Sequence, residues 1–180
     1  MKNVLIVSSS LRGGSNSEIL AFEAEKGAKD AGNNVEFLSL KGKDIKFCIG
    51  CLACQKTGKC VQKDDMAEMI AKVQNADVLI FATPIYYYEM SGQLKTFLDR
   101  CNPLYGQDNK FKDVYLITSS YDDAKNASDI AANGLGGWVA CFEQSRLAGV
   151  LAGGGLNEPK DATANEDLLH KAYELGKNIQ

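Results

Sequence analysis

Short apolar runs alternate along the chain with stretches in which apolar residues recur every three or four positions. The apolar runs predict five β-strands, at residues 4–7, 35–40, 78–82, 114–117 and 146–152. The stretches between and after them predict about five helices, because apolar residues at positions i, i+3, i+4 and i+7 share one helix face. Strands that alternate with helices predict an α/β fold, a doubly wound parallel sheet covered by helices on both faces.

Three predicted loops meet at the edge where the strands end, at residues 8–17, 83–92 and 118–123. Ligands of such sheets bind beyond the carboxyl ends of the strands. The first loop combines serines, Arg12 and two glycines, and it runs into a helix start at which Ser15 and Glu18 have capping-box spacing. Because N–H groups at a helix start attract anions, we predict a phosphate site there. The alternative is a polar turn with a good helix cap.

The second loop follows Thr83 and Pro84, which we expect to end the third strand, and contains three consecutive tyrosines, Tyr86, Tyr87 and Tyr88. Aromatic side chains at the ligand edge can pack on a flat ring, while loop amides bind the polar edge of that ring. The alternatives are that the tyrosines form a dimer patch or cover the core.

A cysteine-rich loop at about residues 44–63 interrupts the alternation of strands and helices. It lies within a segment of 24 residues, 40–63, that lacks strong periodicity, whereas loops in α/β units usually have about 2–6 residues. Its cysteines follow the pattern Cys-x2-Cys-x2-Cys-x5-Cys, at Cys48, Cys51, Cys54 and Cys60. This spacing suits an iron–sulfur cluster, with a four-cysteine zinc site as the rival; reduced thiols or a labile disulfide are the third possibility. Cys101 and Cys141 lie on helical patterns and are expected to be buried thiols.

Composition and charge exclude several classes of function. The 180 residues, with a formal net charge of -3, predict one domain over residues 1–180 and argue against nucleic-acid binding, which needs a basic face. Neither a long apolar segment nor a signal-peptide pattern is present, so we expect no membrane partner and a cytoplasmic location. His170, the only histidine, is expected at the surface, which argues against a Ser-His-Asp or Cys-His hydrolase. The motif of the P-loop nucleotide hydrolases is absent.

The two ligand loops together resemble those of a known family. The stretch Ser-Ser-Ser-Leu-Arg-x-x-Ser-Asn-Ser, the stretch Thr-Pro-Ile-Tyr and the stretch Ser-Gly-x-Leu-Lys-x-x-x-Asp-Arg are similar to those of the flavodoxin-like NAD(P)H-dependent FMN reductases. The family often has proline where Leu11 stands. The cysteine loop resembles that of the iron–sulfur flavoproteins, a branch of the same family in which such a loop holds a 4Fe–4S cluster near FMN.

The resemblance implies a flavodoxin-like, three-layer fold with strand order 2-1-3-4-5 and assigns roles to residues. The FMN phosphate would be bound by Ser9, Ser10, Arg12, Ser15, Asn16 and Ser17. The isoalloxazine ring would be bound by Pro84, Ile85, Tyr86 and Tyr87, beside a third loop of Ser119, Ser120 and Tyr121. A 4Fe–4S cluster would be bound by Cys48, Cys51, Cys54 and Cys60.

The function implied is that of an FMN-dependent NAD(P)H oxidoreductase. A nicotinamide cofactor would pass hydride to FMN, and the reduced flavin would pass electrons to a quinone, a free flavin, a metal, a nitro compound, a protein or the cluster. No side chain need act as a general base in the first step, and the resemblance also implies a homodimer or homotetramer. Two rival functions are a flavodoxin-type electron carrier and a redox-sensing or metal-binding module in which the cysteine loop is the active part.

Overall fold

The five predicted parallel strands are present in the computed structural model, which describes residues 1–180. The sheet has six strands, of which all but β4 are parallel: β1 (Asn3–Ser8), β2 (Asn34–Ser39), β3 (Val78–Tyr86), β4 (Glu89–Met90), β5 (Asp113–Ser119) and β6 (Arg146–Gly153). Their lateral order is β2-β1-β3-β5-β6, and the short β4 pairs only with β3. With β4 set aside, this is the flavodoxin-like order that the resemblance implied, and that prediction is confirmed.

Six α-helices accompany the strands. They are α1 (Asn16–Asp30), α2 (Ala53–Thr57), α3 (Met66–Asn75), α4 (Gly92–Arg100), α5 (Asp129–Val139) and α6 (Glu166–Lys177), with 3-10 turns at Asn102–Leu104 and Asp161–Ala164. Helix α2 lies inside the segment for which the sequence showed no periodicity. None of these helices combines the length and the apolar character needed to cross a membrane.

The sheet separates two hydrophobic cores. In β1, Val4 and Ile6 face the core formed with α1 and α6, whereas Leu5 and Val7 face the core formed with α3, α4 and α5. Successive strand residues point to opposite faces, and both faces are covered. This explains why the apolar runs of the central strands β1 and β3 do not alternate with polar residues.

Helices α1 and α6 approach each other closely through two glycines. A Cβ on Gly27 would lie 2.0 Å from the carbonyl oxygen of Tyr173, and one on Gly176 would lie 1.9 Å from that of Ala24. No side chain fits at either contact, so the close packing of α6 on α1 requires glycine at both positions.

Strand β3 continues beyond Thr83–Pro84, and the prediction that it ends there was wrong. It stays paired with β5 as far as Pro84 and then forms an antiparallel hairpin, in which Ile85 and Tyr86 pair with β4. Tyr87 and Tyr88 make the turn with φ of 52° and 66°. Two-residue hairpins favour positive φ at both turn positions because that geometry matches strand twist, although Gly or Asn usually stands there.

Candidate functional site

The three predicted ligand loops meet at the carboxyl edge of the sheet, and buried hydroxyl groups connect two of them. We call residues 9–15 the phosphate loop and residues 84–91 the tyrosine hairpin. The Ser9 hydroxyl lies 2.9 Å from that of Ser91 and donates to the Ala82 carbonyl at 3.1 Å. The Ser91 amide donates to Thr83 Oγ1 at 3.0 Å, and Ser91 caps α4 by accepting from Leu94 N. The phosphate loop is therefore fixed to the sheet before any ligand binds.

The start of α1 is arranged differently from the predicted capping box, and that detail was wrong. Ser15 stands at the N-cap, but its side chain accepts no capping hydrogen bond. Its hydroxyl lies 3.1 Å from the buried Ser17 hydroxyl, and Glu18 accepts from Ser8 at 3.4 Å. The first N–H groups of a helix have no intrahelical partner, so this end of α1 keeps donors and positive potential for an anion.

A distant stretch of chain lies against the phosphate loop, and we call residues 157–161 the cover segment. Arg12 Nη1 donates to the Asn157 carbonyl at 3.1 Å, and Asn16 Nδ2 donates to the Glu158 carbonyl at 2.9 Å. Asn16 Oδ1 also accepts from the amide of Ala162 at 3.1 Å. Both Nδ2 and Oδ1 of Asn16 are thus hydrogen-bonded to backbone groups, and Asn16 fixes the cover segment at the end of the phosphate loop.

The cover segment brings in a cation that sequence reasoning missed. The amide of Lys160 donates to the Gly14 carbonyl at 2.9 Å. The Cγ and Cε atoms of Lys160 would lie 3.1 and 3.4 Å from a Cβ on Gly14, so the lysine side chain lies along the phosphate loop. Arg12 is 3.9 Å from Glu158, whereas Lys160 takes part in none of the ion pairs of the chain. No local pattern in the sequence marks this contact between distant residues.

The tyrosine hairpin is exposed and is connected to the third loop. Tyr87 is fully exposed, and Tyr86 and Tyr88 are about half exposed. The Tyr88 hydroxyl donates to Asp122 Oδ2 at 3.0 Å, which raises the pKa of Tyr88. The pKa of Asp122 is lowered, first by the hydrogen bond from the amide of Ala124 and then by that from Tyr88. The hairpin therefore presents aromatic surface beside a carboxylate that stays ionised.

The remaining predicted ring-binding residues are divided between buried and exposed positions. Pro84 and Ile85 are half-buried at the base of the hairpin. Ser119 and Ser120 are buried while Tyr121 is exposed. The Ser120 hydroxyl donates to the Asp122 carbonyl at 2.7 Å, so this side chain shapes the third loop.

The four cysteines of the predicted metal site line one small cavity. Cys54 is buried, Cys60 is partly buried, and Cys48 and Cys51 are exposed; Arg100 and Asn102 line the same cavity. The Cys54 sulfur accepts from Asn102 Nδ2 at 3.1 Å, and the Cys60 sulfur accepts from Arg100 Nη2 at 3.5 Å. No three His, Cys, Asp or Glu side chains converge closely enough to hold one metal ion.

The donor set is chemically suited to either of the two predicted metal centres. Four cysteine thiolates are the ligands of a structural zinc ion and of a 4Fe–4S cluster, and all four cysteines line one cavity. N–H donors to the sulfurs are also among the features that stabilise such clusters.

The remaining two cysteines lie apart from this cavity. Cys101 is buried as predicted, and burial raises the pKa of its thiol. Cys141 is exposed just beyond α5, so the prediction that it is buried was wrong. Helix α5 ends at Val139, two residues before Cys141, and therefore does not place it on a core face. His170 is exposed on α6, as predicted.

One groove lies between the phosphate loop and the cysteine loop. Leu11 of the phosphate loop and Phe47 of the cysteine loop line it together with Gly92 and Gln93 at the start of α4. Leu11 and Phe47 are both exposed, at 47% and 77%, which leaves apolar surface open between the two candidate sites.

The sequence matches one family model and several curated proteins. Residues 2–140 match the family model described as NADPH-dependent FMN reductase. An iron-sulfur flavoprotein of Archaeoglobus fulgidus is 39% identical over 115 residues, which cover 64% of this chain and 51% of the relative. One of Methanocaldococcus jannaschii is 39% identical over 101 residues, 56% of this chain and 52% of the relative. The chain thus spans about half the length of these curated relatives.

A solved structure shows the same fold over nearly the whole chain. The NAD(P)H:quinone oxidoreductase from Methanothermobacter marburgensis superimposes with a TM-score of 0.78, and the match covers 99% of this chain and 96% of that one. The two sequences are 18% identical, so this likeness concerns the fold alone.

Proposed function

This chain belongs to the family of NADPH-dependent FMN reductases, and we propose that it is an FMN-dependent NAD(P)H oxidoreductase. It would pass electrons from a nicotinamide cofactor through bound FMN to a second acceptor. The observation that carries this proposal is the uncapped start of α1, where the buried hydroxyls of Ser15 and Ser17 lie side by side. A helix start with free N–H groups and hydroxyl donors suits a dianionic phosphate.

The phosphate loop would bind the phosphate of FMN without rearrangement. The Ser9–Ser91 hydrogen bond holds the loop on the sheet, and Asn16 holds the cover segment against it. Lys160 and Arg12 would add positive charge at the rim of this site. Preorganised donors bind an anion more tightly because little ordering remains to be done.

The tyrosine hairpin and the third loop would bind the flavin ring. Half-buried Ile85 and the exposed tyrosines offer apolar and aromatic surface to a flat ring. Bound FMN would supply hydride acceptance and electron donation. The chain itself would position the flavin, and the exposure of Tyr86 and Tyr87 leaves room for a nicotinamide or for a neighbouring subunit. The expectation of a homodimer or homotetramer stays a prediction.

We further propose that Cys48, Cys51, Cys54 and Cys60 hold a 4Fe–4S cluster that accepts electrons beside the flavin. Two observations support it: all four cysteines line one cavity, and the curated relatives described above carry the name iron-sulfur flavoprotein. Arg100 and Asn102 would hydrogen-bond two of the ligating sulfurs. Iron and sulfide analysis of protein purified without oxygen tests this; near-zero iron would contradict it.

The nicotinamide reaction is tested by anaerobic titration of the FMN-loaded chain with NADH and, separately, with NADPH. We expect one of them to bleach the visible flavin absorbance, at a stoichiometry near one nicotinamide per flavin in chain without a cluster and at a higher one where the cluster also accepts an electron. If neither bleaches the flavin while a partner reductase does, the chain is a flavodoxin-type carrier. If flavin binding persists after Cys51→Ser and Cys54→Ser but all electron transfer is lost, the cysteine loop is the functional part.

A further inference from the structure

A buried cation lies directly beside the cysteine cavity. Arg100, in the last turn of α4, is 1% exposed. Its guanidinium contacts both carboxylate oxygens of Asp64, with Nη1–Oδ2 at 2.5 Å and Nη2–Oδ1 at 2.9 Å. Nη1 also donates to the Lys46 carbonyl at 2.6 Å. Lys46 precedes the first cysteine and Asp64 follows the last, so Arg100 joins the two ends of the cysteine loop.

Joining the two ends of the cysteine loop does not account for all of the hydrogen bonds that Arg100 and its neighbour Asn102 make. A buried ion pair is often no more stabilising than apolar residues of similar size, and loop closure alone needs only Asp64 and the Lys46 carbonyl. Arg100 Nη2 nevertheless donates to the Cys60 sulfur at 3.5 Å. Asn102, two residues further along the chain, donates from Nδ2 to the Cys54 sulfur at 3.1 Å.

The N–H donors of Arg100 and Asn102 bind the sulfurs of the two less exposed cysteines of the cavity. Cys54 and Cys60 are the more buried pair, and each has a protein N–H group on its sulfur. Cys48 and Cys51 are exposed and accept no hydrogen bond from the chain. Segment 100–102 thus places one charged and one neutral donor against the inner two sulfurs.

We propose that Arg100 and Asn102 are positioning residues that raise the reduction potential of the four-cysteine centre. This inference rests on the proposed cluster at Cys48, Cys51, Cys54 and Cys60. Addition of one electron, which the reduced flavin would supply in the proposed reaction and a reductant supplies in a redox titration, makes a thiolate-bound cluster one unit more negative. N–H donors and a nearby cation stabilise the more negative state more strongly, so they favour reduction.

Asn102 gives the cleaner test because Arg100 also holds the loop closed. Asn102→Asp keeps the shape but replaces the N–H donor to Cys54 by a carboxylate; Asn102→Leu removes the donor without adding charge. Asn178→Asp, at the exposed residue that follows α6, is the matched control for the charge change. All variants are prepared anaerobically, their iron and sulfide are measured, and the midpoint potential is read in a mediated redox titration followed by absorbance and electron paramagnetic resonance.

We expect iron content to stay near that of the unsubstituted chain in each variant. The midpoint potential should shift to a more negative value in the order Asn102→Asp, then Asn102→Leu, with no shift in Asn178→Asp. A full iron complement with unchanged potential in both Asn102 variants would overturn this inference and leave the proposed cluster standing. Absence of iron from the unsubstituted chain would overturn both.

Discussion

The phosphate loop and the cysteine loop line the same groove, but they are held in place in different ways. In the phosphate loop, buried serines bond to the sheet, to the start of α4 and to each other. The cysteine loop is largely exposed, and its two ends are joined by the buried Arg100–Asp64 pair and by hydrogen bonds between residues 44–47 and 62–65. The shape of the first site therefore comes from contacts with the sheet, whereas the shape of the second depends on contacts between the two ends of the loop, in which Arg100 is the one buried cation. Substitutions should separate the two.

The largest effect is expected from removal of the buried cation. Arg100→Met leaves the Asp64 carboxylate buried without its partner, which typically costs about 3–5 kcal/mol. Denaturant unfolding monitored by circular dichroism measures the loss. Combining Arg100→Met with Asp64→Leu should restore most of the stability, because a buried pair can be replaced by apolar residues. An Arg100→Met variant as stable as the parent would contradict the central role given to this pair.

The same pair should make stability depend on acid pH. The pKa of Asp64 is lowered from 3.8 to about 2, first by its hydrogen bond with Arg100. Because the folded value lies below the unfolded one, the stabilisation is present above about pH 4 and is lost as the pH falls toward 2. This contribution to the free energy of unfolding amounts to at most about 2–3 kcal/mol. Asp64→Asn should flatten this part of the stability profile, while Asp167→Asn, on the exposed face of α6, should not.

A smaller effect is expected at the rim of the phosphate loop. Lys160→Gln should weaken FMN binding by about 1 kcal/mol, roughly 5-fold, because a partly exposed charge contributes little more than this. Riboflavin, which lacks the phosphate, should bind as before. Fluorescence titration measures both ligands, with Lys171→Gln as the control. An equal loss of affinity for FMN and riboflavin would mean that Lys160 acts only through loop structure.

The smallest effect is expected where the tyrosine hairpin meets the third loop. Tyr88→Phe removes the donor to Asp122, so the Asp122 pKa should move back toward its ordinary value. The larger contribution, from the amide of Ala124, remains, and the shift should therefore be partial. Carboxyl resonances in a pH titration by nuclear magnetic resonance measure it. A pKa of Asp122 that does not change would show that the two loops are not coupled in solution.

Apolar periodicity was enough to predict the strands and the edge where the loops meet, whereas the strand order was implied by the family resemblance. The serines of the phosphate loop could be identified because they follow a strand and precede a helix. The cover segment could not be predicted from the sequence, because its contacts with Arg12, Asn16 and Gly14 use backbone groups far away in the chain. Such groups leave no pattern in side-chain chemistry.

Two other features run against the usual preferences of residue types. Arg100 belongs to the least often buried class of side chains, so its place beside the cysteines was not predicted. Tyr87 and Tyr88 occupy turn positions at which glycine or asparagine is usual, so the hairpin was not expected either. Both features belong to the regions where we place ligands, and local rules are most often broken at functional sites.

The central claim is that the start of α1 binds the phosphate of FMN, and Ser15→Asp tests it most directly. Aspartate is a preferred N-cap, so the variant should unfold at the same denaturant concentration as the parent or higher. Its carboxylate would stand where the phosphate binds and should weaken FMN binding by on the order of 100-fold, with little change for riboflavin. Asn165→Asp, at the N-cap of α6, should leave both affinities unchanged. Unaltered FMN affinity in a folded Ser15→Asp protein would contradict the account.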